Sequence, residues 1–306
     1  MTMPNFLLIG AAKSGTTSLY AYLAQHPQIY MSPEKEPRFF ALEGESPSFG
    51  GITQNINKSS ISILADYRQL FDGVSNESAI GEASTIYLYS EKAANRIKHY
   101  IPDAKLIVIL RHPAERAFSS YVHLVRDGFE TLSFAEGLRA EAQRREESWQ
   151  PLWFYQDRGF YYAQLKRYYD RFNPAQIKVY LYDDLLENSE KLAQDIYRFL
   201  SVEDSFVPPD LKRSNVSGIP KQRWLQNLFN KDNPLKSAVK PFLPKSMRHK
   251  IARSVHQKNL GAKPILSPDI RQQLVDLYQD DILQLQGLID RDLSGWLAPK
   301  QQAVEA

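Results

Sequence analysis

The sequence predicts an α/β fold of the P-loop-like kind, in which a central, mostly parallel sheet is covered by helices on both faces. Short apolar segments alternate with amphipathic segments along the chain, as strands and helices do in βαβ units. The clearest apolar segment, Lys105–Leu110 (KLIVIL), is continuously hydrophobic, which is typical of a strand that is buried on both faces. Because crossovers between parallel strands are right-handed, the intervening helices are expected on both faces of the sheet.

The chain of 306 residues contains 43% hydrophobic and 24% charged residues, which is enough to bury a globular core. We expect a single domain over residues 1–298 and a tail or linker over 299–306. No apolar run reaches the roughly 18–20 residues that cross a bilayer, and the first residues lack the basic start of a signal peptide. The absence of cysteine excludes disulfides and thiolate sites and fits a reducing compartment, so we expect a cytoplasmic protein.

Five short apolar runs predict strands at Asn5–Ile9, Gln28–Met31, Ala79–Glu82, Lys105–Leu110 and Ile177–Tyr182. The segment Glu43–Ser60 is rich in Gly, Ser, Asn and Pro and predicts a long loop. The remaining segments have apolar residues at helical spacing. They predict helices over Thr16–Gln25, Glu91–Tyr100, Pro113–Arg126, Ser133–Glu147, Phe160–Phe172, Ser189–Leu200 and Ser267–Ile289. Ligands of such sheets bind beyond the carboxyl ends of the strands, so the site is expected there.

The positive charge of the chain is concentrated in one segment. Residues 208–264 contain 13 lysines and arginines and two acidic residues, which gives a net charge of +11, whereas the rest of the chain carries −8. Such a basic segment is either a solvated surface or a binding surface for an anionic ligand or partner.

The turn from the first strand to the first helix has the composition of an anion-binding loop. Its glycines, Gly10 and Gly15, let the backbone curl so that successive N–H groups point at one anion, and the helix start adds positive charge. The residues expected to bind the anion are Lys13, Ser14, Gly15, Thr16, Thr17 and Ser18.

This loop differs from the triphosphatase loop G-x-x-x-x-G-K-[ST], because Thr16 stands where the lysine belongs and Lys13 lies inside the loop. The strand-end acid that holds Mg²⁺ in those enzymes is also missing, since Arg111 follows the strand Lys105–Leu110. A cation at that position repels a metal and attracts a second anion. We expect no metal, because no His, Asp or Glu cluster has the spacing of metal ligands.

Four segments, taken together, resemble the sulfotransferases that use 3′-phosphoadenosine 5′-phosphosulfate (PAPS). Gly10–Ser18 resembles their 5′-phosphosulfate loop. The segment that begins at Arg111 (RHPAERAFSSY) resembles their 3′-phosphate segment, in which the Arg and a Ser eight residues later, here Ser119, bind the phosphate. Lys35–Phe40 (KEPRFF) is similar to a segment of the heparan-type and related bacterial branch, and Gly159–Tyr168 is similar to the helix after the substrate loop. The matches follow the family order from residue 5 to about 200.

The resemblance implies that PAPS is the sulfuryl donor and that adenosine 3′,5′-bisphosphate is the product, with no metal. Lys13, inside the loop, is then placed at the leaving oxygen, and Glu36 is the proposed base. His123 competes as the base, since it lies one helical turn after Ser119 and an ordinary imidazole pKa of about 6.5 suits neutral pH. The family also places a late basic segment over the 3′-phosphate and adenine, for which the candidates are Lys221 and Arg223.

The acceptor is less defined by the resemblance. Heparan-type enzymes carry a lysine where this chain has Ala83, which argues against a sulfated polysaccharide, and Glu82 and Ser84 remain candidate acceptor contacts. We expect a hydroxyl-bearing small molecule, glycan, lipid or carrier-tethered chain. The last acts as acceptor for the sulfotransferase domains of polyketide and olefin synthases, which this chain also resembles, and an acidic carrier protein would suit the basic segment. Nucleic acid is not expected as a partner.

Two other function classes compete with a sulfotransferase. A P-loop kinase or triphosphatase needs a lysine at position 16 and a strand-end acid, and both are absent. A non-catalytic module that binds anions or a membrane surface through the basic segment is the other alternative, although Pro241 and Pro244 interrupt any continuous amphipathic helix there.

Overall fold

The computed structural model describes residues 2–46, 49–50, 60–211 and 264–298. These residues form a fold that is built around one parallel sheet. Its strands are β1 (Phe6–Gly10), β2 (Ile29–Met31), β3 (Ala79–Ala83), β4 (Lys105–Leu110) and β5 (Ile177–Leu181). They lie in the order β2-β3-β1-β4-β5, and every neighbouring pair is parallel. The predicted α/β class is therefore confirmed.

Several sequence predictions fall outside the described residues. They concern the basic segment from 212 to 263 with Lys221 and Arg223, the tail 299–306 and positions 47–48 and 51–59 of the predicted loop. Among the helices that the structure describes, none combines the length and the apolar composition needed to cross a membrane.

The side chains of β4 alternate between two hydrophobic cores, one on each face of the sheet. Leu106, Val108 and Leu110 pack into one core, and Ile107 and Ile109 pack into the other. All five are fully buried. Because both faces of β4 are covered, its sequence is continuously apolar, and the fold has three layers.

The helices that the structure describes cover both cores. In chain order they are α1 (Thr16–Leu23), α2 (Phe39–Leu42), α3 (Leu64–Gln69), α4 (Ile86–Tyr89), α5 (Ala93–Tyr100), α6 (Pro113–Arg126), α7 (Phe134–Arg139), α8 (Glu141–Glu146), α9 (Tyr161–Tyr169), α10 (Tyr182–Glu187), α11 (Ser189–Leu200), α12 (Pro268–Ile289) and α13 (Ser294–Leu297). Single 3₁₀ turns lie at Pro151–Trp153, Asp157–Gly159 and Pro174–Gln176.

The helix predicted over Ser133–Glu147 is in fact two helices, α7 and α8, which meet at Ala140. The carboxylate of Glu141 turns into the protein and accepts hydrogen bonds from the backbone N–H groups of Gln156 (2.6 Å) and Asp157 (2.7 Å). In a single polar helix along the surface, this carboxylate would face solvent. The break between α7 and α8 is therefore accompanied by the tertiary contact of Glu141.

The short helices were not predicted, because four to six residues are too few to show a helical period. The start of α10 also shortens the predicted fifth strand by one residue. The Asp184 carboxylate accepts a hydrogen bond from the backbone N–H of Leu181 (2.8 Å) and so caps this helix. The other predicted helices differ from the observed ones by at most three residues at either end.

The order of the strands locates the functional cleft. The chain leaves β1 towards β2 on one side of the sheet and leaves β4 towards β5 on the other side. The adjacent strands β1 and β4 therefore form a topological switch point, where the following loops diverge and open a crevice. The loop after Gly10 and the segment that begins at Arg111 border this crevice.

The long helix α12 packs against the turn Asp157–Gly159 and the start of α9. The Asp281 carboxylate accepts hydrogen bonds from the first backbone N–H groups of α9, at Tyr161 (2.8 Å) and Tyr162 (3.1 Å). The Tyr278 hydroxyl donates to the carbonyl of Gln156 (2.8 Å), and its ring lies so close to Gly159 that a Cβ there would be 2.5 Å from it. The turn therefore packs tightly against α12.

The contact between Gly81 and Phe6 predicts the stability cost of one added methyl group. These residues are register partners on β3 and β1, and a Cβ at position 81 would overlap the Phe6 ring. We expect Gly81→Ala to lower the free energy of unfolding by about 1–3 kcal/mol, as overpacking of a core does. Gly287→Ala is the matched control, because nothing lies near its Cβ position on the exposed side of α12. It should raise stability by about 0.5–1 kcal/mol in the same denaturant titration.

Candidate functional site

The loops after β1, β2, β3 and β4 line a cavity of about 370 Å³, which is within the usual range of small-molecule sites. The structure brings most of the predicted site residues together in its lining: Lys13, Gly15, Thr16, Thr17, Ser18, Glu36, Arg111, Ser119 and His123. Ser14 is not part of the lining, because its side chain is fully buried. Among the described residues, no three His, Cys, Asp or Glu side chains form a group that could hold a metal ion.

The backbone of the loop after β1 has the curled form that the sequence predicted. Gly15 precedes α1 with φ +99°, and a Cβ there would lie 2.6 Å from the Leu185 side chain. Only glycine meets both conditions without strain. Lys13 also has a left-handed backbone, with φ 68°. The loop therefore turns at two positions before the N–H groups that begin α1.

The Lys13 ammonium lies among other cations. Burial, together with the charges of Arg126, Arg111 and Lys35, lowers its pKa to about 8, while Asp127 acts in the opposite direction. An anion bound among these groups would remove the repulsion and raise the lysine pKa. The cation cluster is thus suited to a phosphate or sulfate group.

Arg111 joins this cluster from the end of β4. Its Nη1 atom donates to the carbonyl of Lys13 (3.2 Å), and its guanidinium lies 4.8 Å from the ring centroid of Tyr182. Ser119 lines the same cavity from α6. The two predicted anion positions, the loop and the Arg111/Ser119 pair, are therefore neighbours.

Glu36 enters the cavity from the segment after β2. Its backbone is left-handed, with φ 62°. Its carboxylate accepts hydrogen bonds from the backbone N–H (3.1 Å) and hydroxyl (2.9 Å) of Thr85, and it pairs with the Lys35 ammonium (3.3 Å). These contacts hold an ionisable group at a fixed position beside the Lys13 cluster.

His123 does not have the ordinary pKa that the sequence argument assumed. Burial lowers its pKa to about 4, and the nearby charge of Lys13 acts in the same direction. The Nη2 atom of Arg126 lies 2.6 Å from its Nδ1 atom. Because a guanidinium can only donate, Nδ1 is the acceptor and the proton of the neutral ring lies on Nε2.

The expected acceptor contacts Glu82 and Ser84 are not part of the cavity lining, since both side chains are fully buried. Glu82 accepts a hydrogen bond from the Tyr67 hydroxyl (3.3 Å), and Ser84 accepts one from the backbone N–H of Arg38 (3.0 Å). Burial raises the pKa of Glu82 to about 7, against the hydrogen bonds of Tyr87 and Ser84. Both residues support the loops of the site from behind.

Sequence reasoning missed several residues of the cavity, among them Thr85 and Arg158. Thr85 follows β3 and binds Glu36, as described above. Arg158 lies in the 3₁₀ turn and donates from Nη2 to the Thr85 carbonyl (3.3 Å). The available signal for Arg158 was a basic residue within the aromatic stretch Trp149–Tyr162.

Comparisons with known proteins agree on one family. The sequence profile described as "Sulfotransferase family" matches residues 4–206. The crystal structure of a sulfotransferase from Alicyclobacillus acidocaldarius is similar, with a TM-score of 0.78 and 35% identity over 97% of this chain and 100% of that chain.

Two other relatives are similar to this chain over a shorter stretch or at a lower identity than that structure. Membrane-associated sulfotransferase kil1 of Dictyostelium discoideum is 34% identical over 121 residues, which are 40% of this chain and 23% of that protein. Bifunctional heparan sulfate N-deacetylase/N-sulfotransferase 1 of Xenopus laevis is 26% identical over 308 residues, which are 98% of this chain and 31% of that protein. The chain thus spans less than a third of the length of these relatives.

The buried carboxyl of Glu82 makes stability depend on pH. Its pKa is about 7 in the folded protein and near 4.5 in the unfolded chain, so the folded state holds a proton that the unfolded chain has lost between these values. The Glu82 contribution to stability is therefore present below pH 4.5 and is lost as the pH rises through 7. Because of Glu82, the free energy of unfolding should be higher at pH 5 than at pH 8. We expect Glu82→Gln to reduce this difference by about 2–3 kcal/mol.

Denaturant titrations at the two pH values measure this difference. Glu146→Gln is the control, because this exposed side chain remains in water in both states and the difference should not change. An equal pH dependence in wild type and Glu82→Gln would contradict the assignment.

Proposed function

The chain belongs to the sulfotransferase family, and we propose that it transfers the sulfuryl group of PAPS to a hydroxyl group of its acceptor by in-line displacement. The observation that carries the proposal is the pair of adjacent anion positions at the switch point of the sheet, with Lys13 in one and Arg111 in the other. PAPS carries a 5′-phosphosulfate and a 3′-phosphate on one nucleoside. Two neighbouring anion positions fit that donor, and the product is then adenosine 3′,5′-bisphosphate.

We assign the 5′-phosphosulfate to the loop after β1. The backbone N–H groups at the start of α1 and the side chains of Thr16, Thr17 and Ser18 face the cavity and can donate to its oxygens. Arg111 and Ser119 would bind the 3′-phosphate. Charge-assisted hydrogen bonds of this kind are among the strongest in proteins, so Arg111 should contribute much of the nucleotide affinity.

Lys13 is proposed to stabilise the oxygen from which the sulfuryl group departs. Negative charge builds up on that oxygen during transfer, as it does in phosphoryl transfer. Its pKa is lowered to about 8 by burial and neighbouring cations, so the ammonium lies in a region of positive electrostatic potential. A preorganised charge of this kind lowers the barrier because it needs no rearrangement during the reaction.

Glu36 is the proposed general base. Its carboxylate is held by Thr85 and Lys35 at the edge of the Lys13 cluster and can accept the proton of an attacking hydroxyl. His123 is less suited to this role, since its Nδ1 atom is bound by Arg126 and its Nε2 atom carries a proton. We propose that His123 instead donates a hydrogen bond into the cavity.

The acceptor is proposed to be a hydroxyl compound, with glycans, lipids and carrier-tethered chains as the candidate classes. The names of several relatives specify N-sulfotransferases of heparan sulfate, so transfer to an amine is the alternative. Incubation with PAPS labelled at sulfur and paired hydroxyl and amine compounds tests the reaction directly, and labelled product that is stable to mild acid would indicate an O-sulfate.

Nucleotide binding tests the donor assignment. We expect adenosine 3′,5′-bisphosphate to bind in the presence of EDTA and ATP to bind poorly. Arg111→Ala should weaken binding of the bisphosphate about 10–100-fold, because a hydrogen bond to a charged group is worth about 1.5–3 kcal/mol. Isothermal titration calorimetry measures all three affinities.

The control for this titration is Arg139→Ala, since Arg139 is exposed on α7 and does not line the cavity. Its affinity should equal that of wild type. Equal binding of ATP and adenosine 3′,5′-bisphosphate, or loss of binding in EDTA, would contradict the proposed donor. An unchanged affinity in folded Arg111→Ala would move the 3′-phosphate site elsewhere.

Kinetics of two variants distinguish Glu36 from His123. A general base contributes about 10²–10⁴-fold to the rate and little to donor affinity, so Glu36→Gln should lower kcat by such a factor while product-nucleotide binding stays near wild type. His123→Ala should lower kcat less. Full turnover by Glu36→Gln would defeat the assignment. Similar, non-additive losses in both variants would mean that the two side chains act as one unit.

A further inference from the structure

Arg158 is a buried cation whose positive charge has no carboxylate partner in the structure. The residue is 7% exposed, yet it lines the cavity. Across the described ranges, no Asp or Glu oxygen lies within salt-bridge distance of its guanidinium. The adjacent Asp157 carboxylate is engaged elsewhere, by Arg145 (3.2 Å) and by the Tyr89 hydroxyl. Burial of an unpaired charge is unfavourable, so the site favours an anion.

A second buried arginine increases this unfavourable charge. Arg116 is 1% exposed and lies outside the cavity lining. Burial lowers the pKa of Arg158 to about 10, and the charge of Arg116 acts in the same direction, while Glu36 opposes it. Glu36 and, near Arg116, Glu141 offset part of the positive potential of the two guanidinium groups, and a bound anion would offset more of it.

Several contacts keep the guanidinium in this position. Its Nη2 atom donates to the Thr85 carbonyl (3.3 Å), and its Cζ atom lies 5.6 Å from the ring centroid of Tyr89. The next residue, Gly159, packs directly against Tyr278 of α12. An arginine that is held beside the cavity in this way is organised for a ligand before the ligand binds.

Thr85 places this cation next to the proposed base. The N–H and hydroxyl of Thr85 donate to Glu36, and its carbonyl accepts from Arg158. The carboxylate of Glu36 and the guanidinium of Arg158 are therefore held next to each other by the same residue.

We propose that Arg158 forms an anion subsite on the acceptor side of the cavity, and that the acceptor bears a carboxylate, phosphate or sulfate group near its reacting hydroxyl. The inference rests on the proposed function, because it assigns the Lys13 and Arg111 positions to the donor. Glu36 would contact the hydroxyl, and the guanidinium would bind the anionic group through its planar N–H donors. Neutral alcohols would then be poor acceptors.

Inorganic sulfate is the probe for this subsite. Protein saturated with adenosine 3′,5′-bisphosphate has both donor phosphate positions filled, and its thermal unfolding midpoint is followed as sodium sulfate replaces sodium chloride at constant ionic strength. We expect a saturable rise at millimolar sulfate in wild type. In Arg158→Gln the apparent sulfate affinity should fall at least 10-fold. Arg158→Lys should retain part of it, because the charge stays but the planar fork is lost.

Arg139→Gln is the matched control. Arg139 is exposed on α7 and does not line the cavity, so this variant should keep the wild-type sulfate response. Sulfate also stabilises proteins non-specifically by exclusion from their surface, and the comparison among variants removes that contribution. If Arg158→Gln does not fold, the weakened response of Arg158→Lys carries the test.

The outcomes separate the subsite from the proposed function. If wild type does not bind adenosine 3′,5′-bisphosphate, the proposed function fails before sulfate is added. If the nucleotide binds but sulfate has no saturable effect, the subsite is absent. If Arg158→Gln and Arg158→Lys respond to sulfate as wild type does, the anion lies at the sulfuryl position near Lys13, which also overturns the proposal.

Discussion

Repulsion among positive charges that the parallel sheet brings together is the constraint on which this site depends. Strands that run in one direction all end at the same edge, and the strand order places the loops after β1 and β4 side by side. Lys13 and Arg111 therefore lie in one partly dehydrated cavity, and the pKa of Lys13 is lowered first by burial and then by the neighbouring cations, Arg111 among them. Burial of the two hydrophobic cores stabilises the fold against this repulsion. A bound anion would reduce the repulsion at the carboxyl edge of the sheet.

The backbone around the site is held in conformations that the chain would not choose alone. Lys13 and Glu36 both have left-handed φ values, which for residues with a Cβ cost on the order of 1–2 kcal/mol. A buried hydrogen bond behind the cavity, from the backbone N–H of Arg38 to Ser84, offsets part of this cost. Ser84 binds the backbone next to the Glu36 segment, and Glu82 lies fully buried behind it. Residues that do not reach the cavity thus determine where the reactive groups lie.

The strands and longer helices could be predicted from the sequence because burial and amphipathic spacing are local patterns. The membership of Glu36, Arg111 and His123 in one cavity could also be predicted, since strand ends meet at one edge of a parallel sheet. The pKa of His123 could not, because it depends on burial and on charges from other elements. The same holds for the buried side chain of Ser14, whose direction follows from tertiary packing rather than from the loop motif.

Among the described residues that line the cavity, several are cations and Glu36 is the carboxylate. Lys13 and its neighbours lie in the proposed donor position, and Thr85 holds Arg158 next to Glu36. The same arrangement would orient an acceptor with two functional groups, because only one placement satisfies both the carboxylate and the guanidinium. Selectivity and proton transfer would then depend on the same few contacts, centred on Thr85.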